Sequence, residues 1–246
     1  MRNTKAIFIK QIQSMIKSPT LIGTGIVLAL AILGFGILLP AERDCDVCIP
    51  AYVCETCLLE NPIHSLPTPS IPGMFTVMFV GMMMISSASA LVQEDKTTHN
   101  LRFMTMSGMK PSEYLLGTAS AIFVVSVPLL LLFSIVGGHF GMNMLLFMGL
   151  TITGAINSIL LGIAIGLSKF PIFAGPASMV FGMGPMFSSF NESLARWLHF
   201  TYTQQVNLGI YHIGDNISRN LLIIGANGLL ILLAFVWMHR KGELRW

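Results

Sequence analysis

Four cysteines carry the most distinctive chemistry in this sequence. They form two C-x-x-C pairs separated by five residues, at Cys45, Cys48, Cys54 and Cys57. In an oxidising compartment this cluster favours two disulfides, and four cysteines permit three pairings. Four thiolates also suit a tetrahedral zinc ion, although the five intervening residues are fewer than in the usual zinc ribbon. A redox-active pair is the third interpretation, and the lack of a thioredoxin-like strand and helix pattern makes it the weakest.

Charged residues concentrate in a second segment, residues 93–113. It opens with three consecutive charged residues, Glu94, Asp95 and Lys96, yet its middle is partly apolar. Acidic side chains suit the positive end of a helix dipole, so the pattern predicts a short helix that ends near Gly108. Two interpretations stay open: a solvated loop between two helices, or a docking element for a soluble partner.

Methionine recurs at helical spacing in two apolar segments. The six residues are Met74, Met78, Met82, Met179, Met183 and Met186. Their flexible, polarizable side chains can repack around varied apolar ligands. The alternative is that these side chains face lipid or fill gaps between helices.

The elements that position these groups must come from an unusually apolar chain. Of its 246 residues, 54% are hydrophobic and 10% are charged, whereas soluble domains average about 25% charged residues. This composition excludes a simple water-soluble enzyme. The net charge of +3 is too small and too dispersed for the basic surface of a nucleic-acid-binding protein, so no nucleic-acid partner is expected.

Six apolar stretches contain no Asp, Glu, Lys or Arg: residues 20–39, 71–92, 114–136, 144–167, 172–190 and 221–238. Each is close to the roughly 20 residues that a helix needs to cross the hydrocarbon core of a membrane. In the hydrocarbon core a segment must satisfy its backbone hydrogen bonds internally, and these stretches lack the alternation of apolar and polar residues that is typical of strands. We therefore expect an all-α integral membrane protein with six transmembrane helices. None of the six histidines falls inside these stretches either, which disfavours an ion-coupled transporter.

The positions of the cations predict the orientation of the chain. With both termini cytoplasmic, eleven of the 14 Lys and Arg residues lie inside and three, Arg43, Arg196 and Arg219, lie outside. This distribution follows the positive-inside rule. We therefore expect a multi-pass protein of a cell (plasma) membrane, bacterial in origin, with residues 40–70 as a cysteine-containing outer loop.

Two further segments are predicted to lie at the membrane surfaces. Residues 3–17 read as an amphipathic helix, with Phe8, Ile9, Ile12, Met15 and Ile16 on its apolar side, lying in the cytoplasmic interface. Residues 191–220 contain aromatic residues typical of an interface, and we expect one or two short helices that dip into the outer leaflet. That outer segment is interpreted either as a structural plug or as a gate.

The pattern resembles the ABC-2 type permeases, the six-span membrane subunits of one class of ATP-binding-cassette exporters. The match is carried by Glu94-Asp95-Lys96-Thr97-Thr98, Leu101, Phe103, Ser107, Lys110-Pro111 and Tyr114-Leu115-Leu116-Gly117. The chain departs from the family at Thr97, where Gly is usual, at His99, where Leu is usual, and at Thr118, where a basic residue is common. The resemblance covers nearly the whole chain as one permease domain, residues 1–246.

The resemblance implies that residues 93–113 form the coupling loop, which contacts a separate ATPase. The residues implied in coupling are Glu94, Asp95, Lys96, Leu101, Arg102 and Phe103, with Lys10 as a secondary contact. It also implies that the second and fifth helices line the central path, which makes the six methionines candidates for its substrate-facing wall. The partners would be a second permease, identical or sister, and two copies of the ATPase, in which ATP and magnesium bind.

The sequence contains no G-x-x-x-x-G-K-[ST] loop for the phosphates of ATP, so we expect hydrolysis in the separate partner chain rather than enzyme activity here. The expected cargo is an amphipathic or hydrophobic molecule, such as a peptide, a lipid-like molecule or a drug. Expulsion of an antimicrobial peptide for immunity is the preferred subclass. The competing interpretation is a membrane redox or metal-handling protein that acts through the four cysteines.

Overall fold

The computed structural model describes residues 2–17, 20–38, 71–106, 108–188, 192–211, 213 and 217–240. The described residues are all helical apart from turns and short connections. The helices are α1 (Arg2–Lys17), α2 (Thr20–Leu38), α3 (Ile71–Met78), α4 (Met84–Thr97), α5 (Asn100–Met106), α6 (Pro111–Val136), α7 (Met142–Leu167), α8 (Ala174–Ser188), α9 (Glu192–Leu198), α10 (Tyr202–Tyr211) and α11 (Ile217–Arg240).

Four helical segments are long and apolar enough to cross a membrane: Gly73–Thr97, Ser112–Val136, Met142–Leu167 and Ile217–Trp237. They coincide with four of the six predicted spans, and they support an integral membrane protein with several crossings. Their outward surfaces carry large apolar side chains, as a lipid-facing surface requires.

The other two predicted spans are also helical. Helix α2 has 19 residues, so at about 1.5 Å per residue it is roughly 28 Å long. In the region of span 172–190, Pro171–Phe173 form a 3-10 turn and α8 has only 15 residues. At about 1.5 Å per residue, the described part of α8 covers roughly 22 Å of the hydrocarbon thickness of about 30 Å, and residues 189–191 lie outside the described residues. The six-span count therefore stays a prediction.

One π-helical turn, Phe79–Met83, joins α3 to α4 in a continuous helix. Its Phe79, Val80 and Gly81 are buried, and Phe79 packs edge-to-face on Phe133 of α6 with ring centroids 5.1 Å apart. The Gly81 backbone lies against α8 so closely that an added Cβ would collide with the carbonyl oxygen of Phe181. The π turn thus sits where the long helix crosses α8.

Glycines allow α7 to approach α4 closely. A Cβ at Gly162 would lie 2.7 Å from the Cβ of Ala88, and one at Gly166 would lie 2.9 Å from the Cβ of Val92. Small residues of this kind allow two helices to pack closely within a membrane. The Asn157 side chain of α7 donates a hydrogen bond to the Ile224 carbonyl of α11 at 2.8 Å, which joins these two helices.

The N-terminal helix packs against the bundle through a face that shares only Met15 with the apolar side predicted to lie in the interface. Its buried side chains are Ile7, Gln11 and Met15, whereas Ile9 and Ile16 are exposed. Ile7 fits against Gly117 of α6, where a Cβ would lie 2.8 Å from the Cβ of Ile7. The predicted helix is therefore present, but α1 buries an i, i+4, i+8 row with a polar residue at its centre.

Candidate functional site

A buried carboxylate joins three helices at one end of the bundle. Asp95, on the last turn of α4, is 2% exposed. It is ion-paired with Lys10, and it accepts hydrogen bonds from Gln11 Nε2 at 2.7 Å and from the Tyr114 hydroxyl at 2.9 Å. Since Lys10 and Gln11 belong to α1 and Tyr114 to α6, this Asp95 cluster fixes both helices to the end of α4. We call this end of the bundle the basal end.

The two neighbours of Asp95 in the sequence extend the connections in other directions. The Glu94 carboxylate is exposed and accepts a hydrogen bond from the Ser14 hydroxyl of α1 at 3.0 Å. The Lys96 ammonium donates to the carbonyl oxygens of Gly166 at 2.7 Å and Ser168 at 3.1 Å, at the C-terminal end of α7. A cation at this position satisfies helix-end carbonyls and offsets the negative end of the dipole.

The turn from α4 to α5 is built on a residue in the left-handed region. His99 has a φ of 58°, and its N–H donates to the Lys96 carbonyl at 3.2 Å, while Thr98 N–H donates to Glu94 at 3.0 Å. This geometry ends α4 and allows the chain to begin a new helix at Asn100. A short helix is present here as α5, which ends at Met106. The acidic residues that were expected to open it lie instead in the last turn of α4.

Helix α5 buries one apolar side chain and exposes two. Leu101 is 3% exposed, whereas Phe103 is 75% exposed and Met106 is 71% exposed. The side chain of Arg102 is also exposed. Leu101 thus anchors the helix to the bundle, and α5 presents two large apolar groups and one cation to its surroundings.

The seven residues implied in coupling therefore fall into two groups at the basal end. The exposed or outward-facing group can touch a partner directly and consists of Glu94, Arg102 and Phe103. The second group makes contacts within the chain and consists of Lys10, Asp95, Lys96 and Leu101. A contact made by the second group with a partner would require these internal bonds to open.

Two of the six methionines line an apolar pocket of about 370 Å³ between α2 and the π turn. They are Met78 and Met82, together with Met83, Val27 and Leu28. Met82 also lies against α8, because a Cβ at Gly182 would be 2.6 Å from the Cβ of Met82. The two methionine-bearing helices therefore cross within one chain. The methionines outside the lining of this pocket are Met74, Met179, Met183 and Met186.

The segment 191–220, for which one or two short helices were predicted, contains the short helices α9 and α10. Trp197 and Phe200 are exposed, as expected for interface aromatics. Tyr202, another aromatic residue of this segment, is not exposed. It is buried, stacked on Phe181 with ring centroids 5.2 Å apart, and its hydroxyl shares a hydrogen bond of 2.8 Å with Ser158. Burial raises the pKa of the Tyr202 phenol, so this hydroxyl keeps its proton.

Helix α10 also buries polar side chains that sequence reasoning did not single out. Gln204 accepts a hydrogen bond from Ser188 at 3.0 Å, and Gln205 donates to the His199 carbonyl. Thr203 Oγ1 and Asn207 Oδ1 are buried without a hydrogen-bond partner. Such groups carry a desolvation cost and mark a place where a polar ligand or water could be accommodated.

The cysteine prediction lies outside the described residues, since the structure describes none of residues 39–70. Within the part of the chain that is described, no group of three or more His, Cys, Asp or Glu side chains could hold a metal ion. The choice between disulfides, zinc and a redox pair therefore stays open.

Gln11 and Tyr114 are the site residues that sequence reasoning missed. Gln11 interrupts the apolar row Ile7–Met15 on one face of α1, and a polar residue in such a row signals a buried hydrogen-bond partner. Tyr114 stood in the motif that carries the family resemblance but had no role assigned to it.

Comparison of the chain with protein-family models, curated proteins and solved structures gave no match.

Proposed function

We propose that this chain is the membrane subunit of an ATP-binding-cassette exporter of the ABC-2 type. It crosses the membrane six times with both termini in the cytoplasm, and it is driven by two copies of a separate ATPase. The observation that carries the proposal is α5, which presents Phe103 and Met106 outward while Leu101 holds it to the bundle. Exposed apolar groups beside charges are typical of a docking surface.

The basal end connects this docking surface to the long helices. A partner that moves α5 also moves the end of α4, because only the turn at Thr98 and His99 separates them. The Asp95 cluster then carries the displacement to α1 and α6, and Lys96 carries it to the end of α7. In this mechanism Glu94 and Phe103 contact the ATPase, and the residues of the second group act as positioning residues.

The apolar pocket lined by Met78 and Met82 supports an apolar or amphipathic cargo. It lies beside the crossing of the π turn with α8, so a shift of α4 would change its shape. Unbranched methionine side chains adapt to ligands of different outline. A peptide, a lipid-like molecule or a drug would fit this chemistry, and a second permease would complete the path.

The test is ATP hydrolysis that depends on α5. The full chain, produced in its own host and purified in detergent, should co-elute with ATPase activity that is sensitive to magnesium chelation. Phe103→Ala should lower the co-eluting activity about tenfold or more, because an interface anchor is worth about 2 kcal/mol. The matched control is Phe140→Ala, which removes another largely exposed phenylalanine, between α6 and α7 at the opposite end.

Two results would contradict the proposal. One is a purified chain that carries no ATP hydrolysis above a vector-only preparation. The other is equal loss of activity in Phe103→Ala and Phe140→Ala, which would show that the effect does not come from α5. Thermal unfolding of the chain freed from its partner should be unchanged in both variants, since both side chains are exposed.

A further inference from the structure

A basic cavity lies at the basal end, between the turn that joins α4 to α5 and the turn that follows α7. Its volume is about 540 Å³, and its polar lining consists of Lys96, His99, Arg102, Ser168 and Lys169. Three Lys and Arg side chains and one His thus surround one space, and no carboxylate is among its lining residues. This arrangement favours an anion.

The cations approach the cavity from two sides. Arg102 comes from α5 and Lys169 from the turn after α7, and both side chains are exposed. Lys96 is held in place by its bonds to the Gly166 and Ser168 carbonyls. The position of the Lys96 charge is therefore fixed by the end of α7, and the other two cations reach the cavity from the exposed surface on either side.

The surroundings of the cavity indicate a lipid rather than a soluble anion. Directly after Lys169, the chain exposes three large apolar side chains in succession along the 3-10 turn: Phe170, Ile172 and Phe173. They follow Leu167, where the candidate membrane span Met142–Leu167 ends. Exposed apolar groups next to cations at the end of a span match the boundary between acyl chains and headgroups.

We propose that this cavity binds the phosphate-bearing headgroup of an anionic membrane lipid. Arg102, Lys169 and Lys96 surround the phosphate, and Phe170, Ile172 and Phe173 lie against the acyl chains. The site does not depend on the transport proposal, because its residues and its surroundings would bind such a lipid whatever the cargo of the protein.

The experiment measures binding of soluble short-chain lipids to the full chain in an uncharged detergent. Dihexanoyl phosphatidylglycerol is the probe, and dihexanoyl phosphatidylcholine and inorganic phosphate are the comparison ligands. Lys169→Gln should weaken binding of phosphatidylglycerol about fivefold, as expected for the loss of one cation beside an anionic headgroup. Lys5→Gln is the matched control, because Lys5 is an exposed cation of α1 that does not line the cavity.

A second variant keeps the test independent of one substitution. His99→Asn preserves the left-handed turn, since Asn tolerates a positive φ, and it removes the ring from the cavity. It should also weaken binding of phosphatidylglycerol relative to Lys5→Gln.

The proposal is overturned if phosphatidylcholine binds as tightly as phosphatidylglycerol, because the cations would then contribute nothing. It is also overturned if inorganic phosphate binds as tightly as the lipid probe, which would identify a site for a free anion. Equal weakening by Lys169→Gln and Lys5→Gln would show diffuse attraction by the whole basal end, and that result rejects the cavity as well.

Discussion

Replacing Asp95 by Asn tests whether the Asp95 cluster holds the basal end together. The substitution keeps the shape of the side chain but removes its charge, and it places an amide N–H₂ among three donors: Lys10 Nζ, Gln11 Nε2 and the Tyr114 hydroxyl. Hydrogen bonds to a charged group contribute about 1.5–3 kcal/mol each. They are not additive, and the Lys10 side chain is 38% exposed, which weakens the ion pair. We expect a loss of about 3 kcal/mol in the free energy of unfolding.

Thermal unfolding of the full chain in detergent, followed by tryptophan fluorescence, measures this loss. A chain of this size changes its midpoint by about 2–4 °C per kcal/mol, so Asp95→Asn should unfold roughly 6–12 °C lower than the unmodified chain. Glu94→Gln is the matched control, since it makes the same chemical change one residue earlier. The Glu94 side chain is exposed and accepts one hydrogen bond, from Ser14, so its midpoint should fall by about 2 °C or less.

A double-mutant cycle separates the ion pair from the rest of the cluster. Lys10→Met alone leaves the Asp95 carboxylate with two donors, and the combination with Asp95→Asn should cost about 1 kcal/mol less than the sum of the single changes. The reasoning is refuted if Asp95→Asn and Glu94→Gln unfold at the same temperature. Strict additivity of Lys10→Met and Asp95→Asn would likewise show that these two side chains are not coupled.

Three further predictions follow from other parts of the chain. Gly182→Ala should lower the unfolding midpoint by the equivalent of about 1–3 kcal/mol, because the new methyl group meets Met82. A methyl group at Gly175 of the same helix meets nothing within 4 Å, so the control Gly175→Ala should be neutral. Equal midpoints in the two variants would contradict the close crossing. Burial lowers the pKa of His139, so the unfolded chain takes up the proton more readily and stability should fall as the pH drops below about 6.5. His139→Gln should flatten this dependence of the unfolding midpoint on pH. An unchanged dependence would reject His139 as its cause. If the outer loop contains two disulfides, a thiol-reactive polyethylene glycol should label the denatured chain only after reduction, and labelling without reduction would exclude full pairing. The residues concerned are Cys45, Cys48, Cys54 and Cys57.

The positions of the long helices could be predicted from sequence because the membrane imposes one requirement on all of them. Long segments without charges must satisfy their backbone internally, and the helices α6, α7 and α11 begin and end within a few residues of the predicted spans. The predicted bounds missed the ends where charged and polar residues continue the helix, as at Glu94–Thr97. Composition marks the apolar middle of a helix, whereas its ends depend on local bonds such as the turn at His99.

The direction in which each side chain points could not be predicted in the same way. The segment 93–113 was singled out for its charges, yet Asp95 faces inward, because its partners come from α1 and α6. The aromatic residues of 191–220 were predicted to lie at an interface because of their type, but tertiary packing buries Tyr202 of this segment against Phe181. A single sequence carries the residue types, and the pairing of distant residues is decided by how the helices pack.

The Asp95 cluster also constrains how the protein is assembled during synthesis. Lys10 precedes Asp95 by 85 residues, so at about 5–20 residues per second the ribosome makes α1 roughly 4–17 s before the carboxylate that holds it. Tyr114 is made later still, 19 residues beyond Asp95. During that interval Ile7 and Met15 need shelter at the bilayer surface or on a chaperone. Helix α1 is thus held by the complete Asp95 cluster only after α6 has begun to insert. A nascent chain arrested before Asp95 should therefore leave α1 accessible to protease.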